Sequence, residues 1–155
     1  MHTQQDNQRM RVLKRSGEYE EVSFDKIQKR IKAFCKGDEF SKQLNIDETV
    51  IAQKVVHEIY DGVETSELDE LSSEIAISLY SQNTDYKILA GRIIISNHHK
   101  NTLPTFSEKI DKLYEYVHNG TKKSLIAEYL YQLVQENKEK INSAIDYSKD
   151  YDYDF

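Results

Sequence analysis

The hydrophobic period of this chain changes from Asp25 onward. Residues 11–24 read RVLKRSGEYEEVSF, two short strand-like runs on either side of Ser16-Gly17. Glycine accepts the positive φ of a tight turn, so this segment is expected to form a β-hairpin. From Phe24 onward the apolar residues Phe24, Ile27, Ile31 and Phe34 recur every three or four positions, the spacing of one face of an amphipathic helix. A chain that leaves the strand period early and then keeps the helical one is expected to fold as a small sheet against a helical body.

The helical pattern breaks at turn signals. A first helix is expected from Asp25 until Lys36-Gly37-Asp38. A second runs from about Asp47 to Tyr60, with Val50, Ile51, Val55 and Ile59 on one face. Asp47 and Glu48 suit its positive N-terminal end, and Asp61-Gly62 should stop it. Thr65 is a plausible N-cap for a third helix through about Ser81, with Leu68, Leu71, Ile75 and Leu79 inward. Thr84 or Asp85 opens a fourth, to about Lys100, with Ile88, Leu89, Ile93 and Ile95 inward. Gly91 inside it costs about 1 kcal/mol relative to Ala.

The cluster from Asn101 to Thr105, which holds the only proline, Pro104, is the best candidate boundary. Three regions are therefore expected: a disordered extension over residues 1–11, a domain over 12–101, and the start of a further helical region over 102–155. In that last region Phe106 to Val117 and Ser124 to Ile145 read as helical, joined by the turn His118-Asn119-Gly120. The end, Tyr147 to Phe155 (YSKDYDYDF), carries no closing signal and reads as interrupted.

Composition narrows the function. The 155 residues hold 21 Lys and Arg against 27 Asp and Glu, a formal net charge of −6, which disfavours nonspecific nucleic-acid binding. No apolar run approaches the roughly 18 residues needed to span a bilayer, and the start, MHTQQDNQRM, is polar, so a cytoplasmic protein without membrane contact is expected. A single cysteine, Cys35, allows no internal disulfide or Cys-rich zinc site, and it reads as a buried structural thiol. His98 and His99 are adjacent, so on a helix they point roughly 100° apart, and no metal site is expected there.

Three segments could carry chemistry. Lys14-Arg15-Ser16-Gly17 places a basic pair beside a glycine turn, where charge-assisted bonds and exposed backbone N–H groups could hold a polyphosphate; a solvated surface pair is the plainer reading. Glu20, Glu21, Val22, Ser23, Phe24, Asp25 and Lys26 (EEVSFDK) span the return strand and the start of the first helix. A helix N-terminus accepts anions through its unsatisfied N–H groups, with Lys26 in the first turn; alternatively this is only a capped helix anchored by Phe24. In GVETSELD, Thr65 and Asp69 are four apart and share a helix side. A hydroxyl and a carboxylate so placed could read a ribose or a base edge, or could serve only the helix end.

The order VLKRSGEYEEVSFDKI, VVHEIYDGVETSELDEL, TDYKILAGRIIISNHHK resembles the ATP-cone of class I ribonucleotide reductase large subunits, from about Val12 through Lys100. KEKINSAIDYSKDYDYDF is similar to the stretch before that enzyme's catalytic barrel. The resemblance implies an α+β, mostly α fold: a small β-hairpin or three-stranded sheet capping a four-helix bundle, followed by additional helices. It also implies that Lys14, Arg15 and the segment Glu20 through Lys26 line a nucleotide pocket, that Thr65 and Asp69 contact the nucleoside, and that Lys100 belongs to the site. The effector would be ATP or dATP, with Mg²⁺ bridging the phosphates. The partners implied are the remainder of the large subunit and its small subunit, in an effector-dependent homo-oligomer. The reductase chemistry needs several cysteines, so a chain with Cys35 alone would be regulatory and lack the barrel. A free-standing sensor or transcriptional regulator is the alternative, but ATP-cone repressors use a Cys-rich ribbon that one cysteine cannot build.

Overall fold

The computed structural model describes residues 10–37 and 42–153. Residues 1–9 of the expected extension and Asp38 lie outside the described residues. The described chain forms two compact units, residues 10–97 with 150–153, and residues 98–149.

In the first unit the hairpin forms as its sequence demands. Strand β1 (Arg11–Leu13) pairs antiparallel with β2 (Tyr19–Glu21), with Val12 opposite Glu20. Gly17 takes φ +84°, and its N–H donates to the Lys14 carbonyl at 2.9 Å to close the turn. Arg11 opens β1, and the Met10 carbonyl accepts the Val22 N–H at 2.8 Å. A third strand, β3 (Val63–Glu64), adds to β1 in parallel, giving the order β2-β1-β3.

Helices α1 (Phe24–Cys35), α2 (Glu48–Glu58), α3 (Thr65–Ser78) and α4 (Asp85–Asn101) supply the helical body. The fold is α+β and mostly α, as the pattern and the resemblance implied. Ile27, Ile31 and Phe34 of α1, Ile51 and Val55 of α2, Ile75 of α3, and Leu89 and Ile93 of α4 share one core with Val12 and Val63 of the sheet. Among the described residues no helix is long and apolar enough to cross a membrane.

Three local expectations shift. Helix α2 ends at Glu58, so Gly62 does not terminate it; instead Gly62, at φ +87°, donates its N–H to the Arg11 carbonyl at 2.7 Å and turns the chain into β3. Thr65 is the first residue of α3, and the cap position is Glu64, whose N–H donates to Glu67 Oε2 at 3.3 Å. The carboxylate of Glu67 answers the backbone from one turn inside the helix, the role a Glu at that position commonly takes. On α3, Leu68 and Leu71 are only partly buried, whereas Ser72, Ser73 and Ala76 are buried. Ser73 Oγ donates to the Ala90 carbonyl of α4 at 3.0 Å, so a small polar residue meets α4.

Two buried polar groups fasten the loop between α1 and α2. Arg92 of α4, 1% exposed, donates from Nη1 to the Phe34 carbonyl at 2.7 Å and from Nη2 to the Lys42 carbonyl at 2.6 Å. Asp85, at the start of α4, accepts the Asn45 N–H at 3.0 Å and the Lys42 ammonium at 2.5 Å. These two bonds, the Asn45 amide first, hold its carboxyl below the ordinary 3.8. A carboxyl whose pKa is lowered on folding stabilises fully above its unfolded pKa and loses that contribution as pH falls through the folded value. The stability gap between wild type and Asp85→Asn is therefore expected to be constant above about pH 5 and to shrink below about pH 4. Denaturant titrations at several pH values measure it; a gap that widens in acid would contradict this role.

The second unit contains α5 (Phe106–Tyr114), a small hairpin of β4 (Val117–His118) and β5 (Thr121–Lys122), and helices α6 (Glu128–Glu136) and α7 (Lys138–Ala144). A 3-10 segment, Tyr147–Asp152, follows. The stretch expected as one helix over 124–145 is thus two, beginning later and broken at Asn137, whose amide donates to the Leu133 carbonyl at 2.9 Å. An Asn side chain that bonds its own backbone competes with helix continuation. The expected turn at Asn119-Gly120 is the two-residue loop of a hairpin, with φ +50° and +75°, and so takes Val117 out of the preceding helix.

Candidate functional site

Two carboxylates organise the cations around the hairpin. Glu20 on β2 pairs with both Lys14, at the mouth of the hairpin turn, and Lys26, in the first turn of α1. Asp69 on α3 is 3% exposed and accepts Nε and Nη2 of Arg30 on α1, each at 2.7 Å. Arg15 reaches the same carboxylate at 3.6 Å. It also donates to Thr65 Oγ1 at 3.4 Å and to the Asn97 side chain of α4, so the hairpin turn touches both α3 and α4.

Between these groups opens a cavity lined by Val12, Glu20, Glu21, Val22, Ser23, Lys26, Ile27, Arg30 and Leu68, about 440 Å³ including its mouth. A second, narrower cavity lies against it and shares Ile27, Arg30 and Leu68; Ile31, Phe34, Asp69, Ser72 and Ile93 complete its lining. The N-terminus of α1 adjoins the first. Its N-cap, Ser23, makes no side-chain capping bond among the described residues, while the Ser23 carbonyl accepts the N–H groups of Lys26 and Ile27 at 3.1 and 3.2 Å. The N–H groups of Phe24 and Asp25 precede the first bonds of the helix ladder, the position at which a helix N-terminus can accept an anion.

Of the residues singled out in the sequence, Lys14, Glu20, Glu21, Val22, Ser23 and Lys26 gather at the hairpin and the start of α1. Arg15, Thr65 and Asp69 gather at the start of α3. Phe24 packs against the core from the first turn of α1, and Asp25 beside it is exposed. Lys100 falls in the second unit, where it lines a cavity with Thr102, Lys109 and Lys112. Two residues escaped the sequence reading. Arg30 lies four positions after Lys26 and so on the same helix side, a spacing that could have marked it. Asn97 had no comparable signal, because its importance comes from the approach of Arg15.

Two further reactive side chains have packed surroundings, Cys35 and His99. Burial pushes the Cys35 thiol up to about 11, with Glu48 adding to the rise, and its Sγ donates to the Ile31 carbonyl at 3.4 Å. A thiol held protonated in this way is a poor nucleophile at neutral pH. The His99 ring stands edge-on to Tyr147 at 6.1 Å.

A family model described as the ATP cone domain matches residues 10–101, more than half of the 155. The chain belongs to the ATP cone domain family. The matched span of this ATP cone runs from the residue before β1 to the last residue of α4, and so contains both carboxylate-centred clusters. The chain is also similar to the ribonucleoside-diphosphate reductase large subunit of Dictyostelium discoideum, 42% identical over 152 residues, which is 95% of this chain and 17% of that protein. The large subunit of monkeypox virus is 44% identical over 148 residues, 94% of this chain and 19% of its own length. The large chain of Schizosaccharomyces pombe is 40% identical over 148 residues, 94% and 18% respectively. The chain spans less than a fifth of the length of these relatives, and the similarity extends past the ATP cone into the second unit.

Proposed function

We propose that this ATP cone is the activity-regulating nucleotide site of a ribonucleoside-diphosphate reductase large subunit, binding ATP or dATP as an allosteric effector. The observation that carries the proposal is the cavity at the uncapped N-terminus of α1, bordered by Lys26 and Arg30, inside the span that the ATP cone family model matches. A nucleoside triphosphate carries about four negative charges, and backbone N–H groups with nearby ammonium and guanidinium groups suit it. Lys14, Arg15 and Lys26 supply cations, the segment Glu20 through Lys26 supplies backbone, and Thr65 stands at the start of α3 on the nucleoside side. Lys100 is assigned to the same site by resemblance. Mg²⁺ bound with the nucleotide would lower the repulsion between phosphates while keeping several waters.

ATP and dATP differ by one ribose hydroxyl, so regulation requires the two ligands to stabilise different arrangements. Arg15 is suited to carry that difference, since it joins the hairpin turn to Thr65 on α3 and Asn97 on α4. In the proposed enzyme ATP favours the active form and dATP an inhibited oligomer, with the remainder of the large subunit and the small subunit as partners.

Calorimetric titration tests the site. ATP and dATP are expected to compete with one-to-one stoichiometry, and Lys14→Ala and Lys26→Ala are each expected to weaken both ligands about tenfold, the loss of roughly one charge-assisted bond. Unchanged affinity in both variants would remove the hairpin from the binding site.

A further inference from the structure

Among the described residues, Arg30 is the one cation that lines both cavities. It lines the cavity that holds Lys26 and Glu20, and also the apolar cavity of Ile31, Phe34 and Leu68. Its guanidinium lies 5.6 Å from the centroid of the Phe34 ring, and Asp69 takes Nε and Nη2, a single edge of the fork. Neither bond uses Nη1, which makes no hydrogen bond among the described residues. The Arg30 side chain is 37% exposed, whereas that of Asp69 is 4% exposed. The carboxylate is therefore the enclosed partner and the guanidinium the accessible one.

We infer that Arg30 contacts the polyphosphate of the bound nucleotide, and that Asp69 is the positioning residue that aims it. The inference rests on the nucleotide reading above and changes the role of Asp69 within it. Resemblance gives Asp69 a direct contact with the nucleoside. Here both of its oxygens already accept bonds from Arg30, and Oδ2 also faces Arg15 at 3.6 Å. A side chain so enclosed reaches a ligand through what it holds. An arginine locked at one edge by a bidentate carboxylate presents its other edge with little rotamer freedom left to lose, which is what a phosphate contact requires. The turn from Lys26 to Arg30 places both cations on the same side of α1, so the polyphosphate would lie along the first turns of that helix.

A double-mutant cycle read by calorimetry with ATP, and separately with inorganic triphosphate, tests this in the full chain. Arg30→Gln is expected to weaken both ligands at least tenfold, and Arg30→Lys, which keeps the charge without the fork, to recover only part. Asp69→Asn is expected to weaken both ligands too, while the double variant binds no more weakly than Arg30→Gln alone, because Asp69 acts through Arg30. Losses that multiply in the double variant would assign Asp69 its own ligand contact and overturn the positioning role. A loss confined to ATP, with triphosphate unaffected, would overturn the phosphate contact. If Lys26→Ala weakens ATP while Arg30→Gln does not, this inference fails and the nucleotide site stands. If the wild-type chain binds neither ligand, both fail. Thermal melts of each variant separate these outcomes from unfolding.

Discussion

Arg92→Met is expected to lower the melting temperature of the first unit by roughly 10–20 °C, the equivalent of about 2–4 kcal/mol for a domain of this size. Arg92 is 1% exposed and holds two carbonyls from different elements, Phe34 in the last turn of α1 and Lys42 in the loop that follows. The Phe34 carbonyl is one of the four at a helix C-terminus that lack an intrahelical donor, and a guanidinium there also meets the negative end of the helix. Methionine matches the length of the arginine stem but offers no donor. Each carbonyl left buried and unpaired costs about 1–3 kcal/mol, partly offset because no charge need then be buried. Arg92→Lys is expected to rescue little, since one ammonium cannot reproduce a fork that spans two elements. Scanning calorimetry measures both variants, and a melting temperature within two or three degrees of wild type would show that the loop does not depend on Arg92.

Replacing Lys14 and Lys26 together is expected to weaken ATP by more than the product of the single losses, beyond about a hundredfold for two charge-assisted contacts. The reason is Glu20, which pairs with both lysines. After either single substitution the other lysine still neutralises it. After both, an unpaired carboxylate stands beside the polyphosphate and repels it. Adding Glu20→Gln to the double variant is therefore expected to restore part of the affinity, although it replaces no cation. A triple variant that binds no better than the double would show that Glu20 is not a competing charge. The three side chains are 43%, 64% and 30% exposed, so their pairs contribute little to stability and the variants should melt close to wild type.

Much of the fold was legible because it follows from local rules. The Ser16-Gly17 turn, the amphipathic face of α1 and the acidic start of α2 each depend on residues within one turn of one another. The errors came where a distant partner decides. Gly62 reads locally as a helix terminator, but its N–H is taken by Arg11, some fifty positions away, and the third strand results. Asn137 is the local exception, since its amide bonds the Leu133 carbonyl and breaks a helix whose apolar pattern continues through it. On α3 the apolar spacing pointed to Leu68 and Leu71, while Ser73 is fully buried and bonds the Ala90 carbonyl of α4.

The site divides in the same way. Residue type and spacing offered Lys14, Arg15 and Glu20 through Lys26 as places where a polyphosphate could bind, and Thr65 with Asp69 as a pair that could read a ribose or a base edge, because charge and helix termini are written locally. The pairing of those charges was decided by the tertiary structure. Periodicity cannot foretell that Glu20 serves two lysines, or that Asp69 is enclosed behind Arg30, since a carboxylate's partners are set by how α1, α3 and the hairpin converge. Sequence alone determined a small sheet on a helical body with cations near its turn. Packing determined which carboxylate pairs with which cation and brought in Arg30, because burial and hydrogen-bond geometry exist only once the elements have met.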